Sequence, residues 1–251
     1  EAVLMDADSG EVLAAKNADA SIYPASMTKV MTALLVLEAN PDLDTPVTLP
    51  EDIFPELRAE GASMAGFLPG ETATARDLLY GALLPSGAEC CETLAREVSG
   101  SEEAFVASMN QKAAALGMAS THFCNPTGLH DPEHVSTARD MAVLLRAAMQ
   151  NEMFRTIFAT ARYTVPPTNL HPDGFTMEST FWSELDGTEL RRGKFLGGKT
   201  GYTSAAGLCL ASAAEVKGKT YLMVTAGAQG NHNTEPYHVD DAVNVCRQLA
   251  R

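Results

Sequence analysis

Strand-like patterning is confined to the two ends of this chain, with a long helical stretch between them. Near the start, Ala2-Val-Leu-Met5 and Val12-Leu-Ala-Ala15 flank the turn residues Asp8-Ser-Gly-Glu11, which predicts a hairpin. Late in the chain, 195–202, 208–213 and 219–226 read as three successive strands, with Lys217-Gly218 as a tight turn between the last two. Residues 162–165 and 176–180 also look extended. A hairpin does not bury its apolar face alone, so the two ends of the chain are expected to join in one antiparallel sheet of about five strands. Helices are predicted at 26–39, where Met27, Val30, Leu34 and Leu37 recur at helical spacing, and at 239–249. Asn40-Pro41 is read as the stop of the first. Between them, helices are predicted at 75–84 and 89–98, with 68–71 as a turn. Another is read from a capping box at Ser99-Gly-Ser-Glu102 to Gly117, and a further one opens at Thr137-Ala-Arg-Asp140. The first and last helices are expected to cover one sheet face and the helical insertion the other. The fold class is α/β (α+β), an αβα sandwich.

Three short motifs carry chemistry. In Ser26-Met-Thr-Lys29, residues three apart on a helix share a face, so the hydroxyl and the amine can meet. A serine needs a base to become a nucleophile, and a lysine serves if burial or a neighbouring cation lowers its pKa. The plain alternatives are a helix cap for Ser26 and a solvated surface lysine for Lys29. Ser86-Gly87-Ala88 follows Pro85, where a turn serine is also at home. Lys199-Thr200-Gly201 lies in a predicted strand, with Tyr202 and Thr203 after it.

In this order the three motifs form the signature of serine penicillin-recognising enzymes. Longer stretches sharpen the likeness. The chain resembles the D-alanyl-D-alanine carboxypeptidases, the low-molecular-mass penicillin-binding proteins, from about Val3 to Arg251. The likeness is carried by 23–33, 74–87, Asn125-Pro-Thr-Gly-Leu129, 134–140 and 197–207. The resemblance implies the β-lactamase/DD-peptidase-like fold, with the active site at the seam between sheet and helical lobe. A single catalytic domain over 1–251 is expected, with 1–44 and 161–251 as sheet lobe and 45–160 as helical lobe. It implies Ser26 as nucleophile, Lys29 as base and Ser86 as proton shuttle. Substrate is expected along Gly87, Ala88, Lys199, Thr200, Gly201, Tyr202 and Thr203, with the oxyanion held by the N–H groups of Ser26 and Tyr202. Lys199 and Thr200 would hold the terminal carboxylate. The implied partners are peptidoglycan stem peptides ending in D-Ala-D-Ala, with β-lactams as covalent inhibitors. The implied place is outside the bacterial plasma membrane, with membrane association through segments beyond this chain. No cofactor is implied. Two alternatives stay open: a β-lactamase, or a sensor that acylates and stalls. One departure bears on them. Ala88 stands where the family commonly has an asparagine that hydrogen-bonds substrate.

A net charge of −14 argues against a nucleic-acid partner, which needs a basic face. No run of apolar residues is long enough to span a membrane, and the start at Glu1 within a strand pattern is read as suggesting a mature or trimmed form. Cys90, Cys91, Cys124, Cys209 and Cys246 are odd in number and are read as buried free thiols of a largely reducing or anaerobic setting, rather than a Cys90–Cys91 redox switch. His130-Asp-Pro-Glu-His134 is read as a polar loop rather than a metal site, because Pro132 disfavours helical alignment of the two histidines. Trp182 is read as packing.

Overall fold

The computed structural model of the chain describes residues 1–39, 42–190, 192–231 and 233–251. The chain opens with the hairpin of β1 (Ala2–Asp6) and β2 (Val12–Lys16). A 3-10 turn at Ala25–Thr28 runs straight into α1 (Lys29–Glu38). The middle of the chain holds β3 (Pro46–Thr48), α2 (Ile53–Ala59), β4 (Thr72–Thr74), α3 (Ala75–Leu83), α4 (Ala88–Ser99), α5 (Glu102–Leu116), α6 (Ala138–Ala148) and α7 (Glu152–Phe158). Then come β5 (Arg162–Val165), β6 (Phe175–Glu178) and α8 (Thr180–Leu185). The meander of β7 (Gly193–Thr203), β8 (Gly207–Val216) and β9 (Lys219–Ala228) leads to α9 (Tyr237–Leu249).

The two ends of the chain meet as the patterning requires. Five strands form one antiparallel sheet in the order β2-β1-β9-β8-β7, and β1 enters it by pairing with β9, Val3 opposite Val224. Both faces are buried. Val3, Met5, Leu222 and Val224 point into one core, and Leu4 and Met223 into the other, the period-two alternation of a strand. The segments at 162–165 and 175–178 do not join this sheet; they pair with each other in a separate two-stranded one.

The helices are distributed differently from the expectation. α8 and α9 cover one face through Phe181, Leu185, Val239 and Val243. α1 lies on the opposite face, packed among α3, α4, α5, α6 and α7. The reason is in its own sequence: every residue from Lys29 to Leu37 except Leu35 is buried. A helix apolar all round belongs inside a layer rather than on a surface. The proposed stop at Asn40-Pro41 lies outside the described residues.

Helix starts explain much of the middle. Thr74-Ala-Arg-Asp77 and Thr137-Ala-Arg-Asp140 are twin caps. Thr74 Oγ1 accepts from Asp77 N, and Asp77 Oδ2 accepts from Thr74 N, a complete capping box. Thr137 Oγ1 accepts from Asp140 N at 3.0 Å, while Asp140 instead accepts from Ser120 N and Thr121 Oγ1. The box expected at Ser99 does not form; Ser101 is the cap, accepting from Ala104 N. All five cysteines are free thiols, four of them buried. Among the described residues, no helix is long and apolar enough to cross a membrane. Trp182 packs edge-on to Phe181.

Thr137→Ala leaves the Asp140 amide without its acceptor. The expected loss is about 1 kcal/mol of stability, read from chemical denaturation.

Candidate active site

Ser26 sits in the 3-10 turn rather than in an α-helical first turn. In a 3-10 turn, side chains at i and i+3 eclipse, which sets Lys29 directly over Ser26. Lys29 Nζ donates to Ser26 Oγ at 3.0 Å and to the Thr127 carbonyl at 2.6 Å. No side chain caps the turn or α1, so the serine hydroxyl is not spent on a helix start. The preceding residue, Ala25, is held at φ +47, a left-handed conformation that an L side chain adopts only when its surroundings impose it.

The Thr127 carbonyl is placed by a loop built around Asn125. Asn125 Oδ1 accepts from Gly128 N at 2.7 Å and from both the amide and hydroxyl of Thr127, while Nδ2 donates to the Leu129 carbonyl. The next residue back is tied to α1, where Thr32 donates to the Pro126 carbonyl at 2.6 Å. The loop lies against the nucleophile turn so closely that a Cβ on Gly128 (φ +82) would stand 1.9 Å from the Ala25 carbonyl oxygen. His134 braces the other side. Its Nδ1 accepts from Cys124 N, so Nε2 carries the proton and donates to Thr28 Oγ1 at 2.8 Å. Burial pushes this histidine down to about 4, which keeps it a neutral strut. Among the described residues no group of acids, histidines and cysteines is placed to hold a metal.

The electrostatics favour a neutral lysine. Lys29 is 2% exposed, and burial lowers its pKa. Lys199 is fully buried on β7, and burial, followed by repulsion from Lys29, pushes it down to about 7. Its Nζ donates to the Thr200 carbonyl. It therefore stands behind the cleft rather than lining it, and the Thr200 hydroxyl is the motif's polar group at the cavity wall. The thiol of Cys91 nearby is pushed up to about 12 by burial, which makes it an inert packing group.

Two cavities open on either side of Ser26. The smaller, about 50 Å³, is walled by Ser86, Thr180, Thr200 and Gly201, and closed by Glu184 and His238, whose Nε2 is 3.0 Å from Glu184 Oε2. Ser86 is held at φ +71, and its buried Oγ finds no hydrogen-bond partner among the described residues. It shares the cavity with Ser26, and its hydroxyl makes no hydrogen bond to Lys29. The larger cavity, about 460 Å³, runs between the 127–130 loop and Tyr202 and Thr203, with Ala88 and Lys29 in its floor. Gly87 backs the site: its N–H donates to the Gly81 carbonyl, and Ala88 N donates to Ser63. Glu89 is turned to the Ala65 and Gly66 amides, where burial raises its pKa. A Cβ on Gly201 would stand 3.0 Å from Ser26 N. Gly201 thus keeps the approach to that N–H clear.

Thr28, Thr32 and His238 carry no role in the sequence reading, and His134 enters it only as a polar-loop residue and as part of the resemblance over 134–140. Asn125 enters it only as part of a resemblance; the turn chemistry of Asn-Pro-Thr-Gly was its available signal.

A three-layer sandwich with a serine–lysine pair at the seam between sheet and helices defines the DD-peptidase fold class. The family described as Peptidase S11, D-alanyl-D-alanine carboxypeptidase, matches residues 1–230, and the chain belongs to that family. D-alanyl-D-alanine carboxypeptidase DacF of Bacillus subtilis is 37% identical over 238 residues, covering 90% of this chain and 57% of its own length. DacB2 of Mycobacterium tuberculosis is 39% identical over 206 residues, covering 81% of this chain and 66% of its own. The chain thus spans less than two thirds of either relative. Among solved structures, the Streptomyces K15 DD-transpeptidase superposes with a TM-score of 0.87 at 30% identity, covering 99% of this chain and 95% of that one. A D-alanyl-D-alanine carboxypeptidase of Mycobacterium tuberculosis gives 0.84 at 33%, covering 100% and 90%.

Gly128→Ala forces the loop and the nucleophile turn apart and draws the Thr127 carbonyl off Lys29. Labelling of Ser26 by a fluorescent penicillin is expected to slow about 100-fold, since a displacement near 1 Å suffices for that loss.

Proposed function

We propose that this chain is a serine D-alanyl-D-alanine carboxypeptidase that trims peptidoglycan stem peptides outside the plasma membrane. The observation that carries the reading is the 3.0 Å hydrogen bond between Ser26 Oγ and a buried Lys29 amine. As Ser26 Oγ bonds to the carbonyl carbon of the terminal D-Ala-D-Ala amide, its proton passes to neutral Lys29. The oxyanion is met by the N–H groups of Ser26 and Tyr202. The proton then travels through the Ser86 hydroxyl to the leaving nitrogen, the C–N bond breaks, and D-alanine departs with the Ser26 ester left behind. A hydroxyl that both donates and accepts suits that relay. Water, deprotonated by Lys29, cleaves the ester and restores Ser26.

The substrate is read as lying along β7, an edge strand of the sheet, where an extended peptide can add as a further strand. Its terminal carboxylate meets Thr200 in the small cavity, with Lys199 behind supplying positive charge. The acyl portion runs into the larger cavity past Tyr202 and Thr203. β-Lactams would acylate Ser26 as mimics of the same amide. Gly87 and Ala88 form the wall opposite β7. Ala88 supports a second reading, a sensor that acylates and stalls, because its buried methyl offers the bound amide no hydrogen bond.

Native protein is expected to release D-alanine steadily from diacetyl-L-Lys-D-Ala-D-Ala, and Ser26→Ala to release none. Unchanged release by the variant would refute the acyl-enzyme. Penicillin labelling of the native protein without any release would favour the sensor.

The pH dependence has a definite sign. The base works only when deprotonated, and burial lowers the pKa of Lys29. The rate of Ser26 acylation is therefore expected to rise with pH along an acidic limb that lies below the ordinary lysine range. A rate with no acidic limb below the unperturbed lysine value near 10.4 would contradict a neutral lysine base.

A further inference from the structure

A third cavity, about 210 Å³, adjoins the acyl end of the cleft. The two share a wall of Glu60, Thr127, Leu129 and His130. Its lining is strongly acidic: Glu56, Glu60, Glu92 and Glu102 converge from α2, α4, α5 and the residue after α2, and Asp131 joins them from the loop before α6. Arg96 is the one guanidinium in that lining, and it is already engaged with Asp52 at 2.8 Å. Glu92 is the unusual member. It is 6% exposed, and its buried Oε2 has no hydrogen-bond partner among the described residues. A buried carboxylate without a partner is costly, and an incoming cation relieves it.

We propose that this cavity is a subsite for a free side-chain ammonium on the residue preceding the terminal D-Ala-D-Ala. The inference rests on the carboxypeptidase reading and adds a preference within it, for stem peptides whose diamino acid carries an unmodified amine. Position supports it. The leaving end of the substrate lies on the Ser86–Thr200 side of Ser26, so the preceding residue projects from the other side, toward the 127–130 loop. A lysine-length side chain passing that loop meets the glutamates. The chemistry favours an ammonium over a metal ion, since no described group of three or more acids, histidines and cysteines is arranged for one. It also favours an ammonium over a neutral amide, because only a cation offsets five carboxyl groups in one lining. Burial, then Glu102 and Glu56, push Glu92 up to about 8 against the pull of Arg96 and Lys29. The cavity therefore strains against its own ionisation until a positive charge enters.

The test compares Nα-acetyl-L-Lys-D-Ala-D-Ala, with a free ε-ammonium, against the Nα,Nε-diacetyl peptide. In native protein the free amine is expected to give about tenfold higher kcat/KM, the worth of one charge-assisted hydrogen bond. Glu92→Gln keeps the shape and should shrink the ratio between the peptides toward one. Calorimetric binding of both peptides to Ser26→Ala protein, alone and combined with Glu92→Gln, reads the same preference without turnover. A native ratio near one, or a ratio that Glu92→Gln leaves intact, overturns the subsite. If neither peptide releases D-alanine, the carboxypeptidase reading fails while calorimetry still decides the cavity. A preference for the free amine sustains it, and equal or absent binding refutes it.

Discussion

An amine buried beside a hydroxyl has two ways to be tolerated: it keeps its proton and finds acceptors, or it gives the proton up. Lys29 is fixed between these states. Its two acceptors are Ser26 Oγ and the Thr127 carbonyl, and the surrounding architecture serves to hold them in place. The 3-10 turn sets the serine, and the Asn125 loop sets the carbonyl. Thr32 and His134 tie that loop and its flank to α1 and to the turn before it. Burying α1 on all sides makes the environment dry enough for the lysine pKa to fall.

Two left-handed residues, Ala25 and Ser86, flank the reacting centre. Neither is glycine, so each stores strain of order 1–3 kcal/mol that packing must sustain. The strain aims two hydroxyls into one cavity instead of into local helix caps or turns. Sheet and helical layers meet at that point, with Gly201 on the edge strand against the nucleophile turn. The seam can therefore present a strand edge, a nucleophile and a relay hydroxyl to the same extended peptide.

The sheet and the Ser26–Lys29 pair were legible because they follow from local periodicity. Alternation marks the strands, and a spacing of three marks the pair. The place of α1 was misread, because spacing alone registered one apolar face and missed that the helix is buried all round. The capping box at Ser99 failed because Ser101 competes for the same helix start and wins by its bond to Ala104 N. The short helices α2, α7 and α8 have too few turns to show a period. The Thr127 carbonyl could not be read at all, since a main-chain acceptor carries no residue signature and only the folded loop aims it. Lys199 was expected at the cleft surface. Its side chain turns back onto the Thr200 carbonyl, behind the cleft.

The most direct measurement is the protonation state of Lys29 in the free protein, followed by the 15N shift of its Nζ in lysine-labelled protein and assigned against Lys29→Met. A neutral amine that gains its proton only as pH falls below its ordinary range is the predicted result. An ammonium that persists to the unperturbed lysine value near 10.4 would contradict a lysine base and the mechanism built on it.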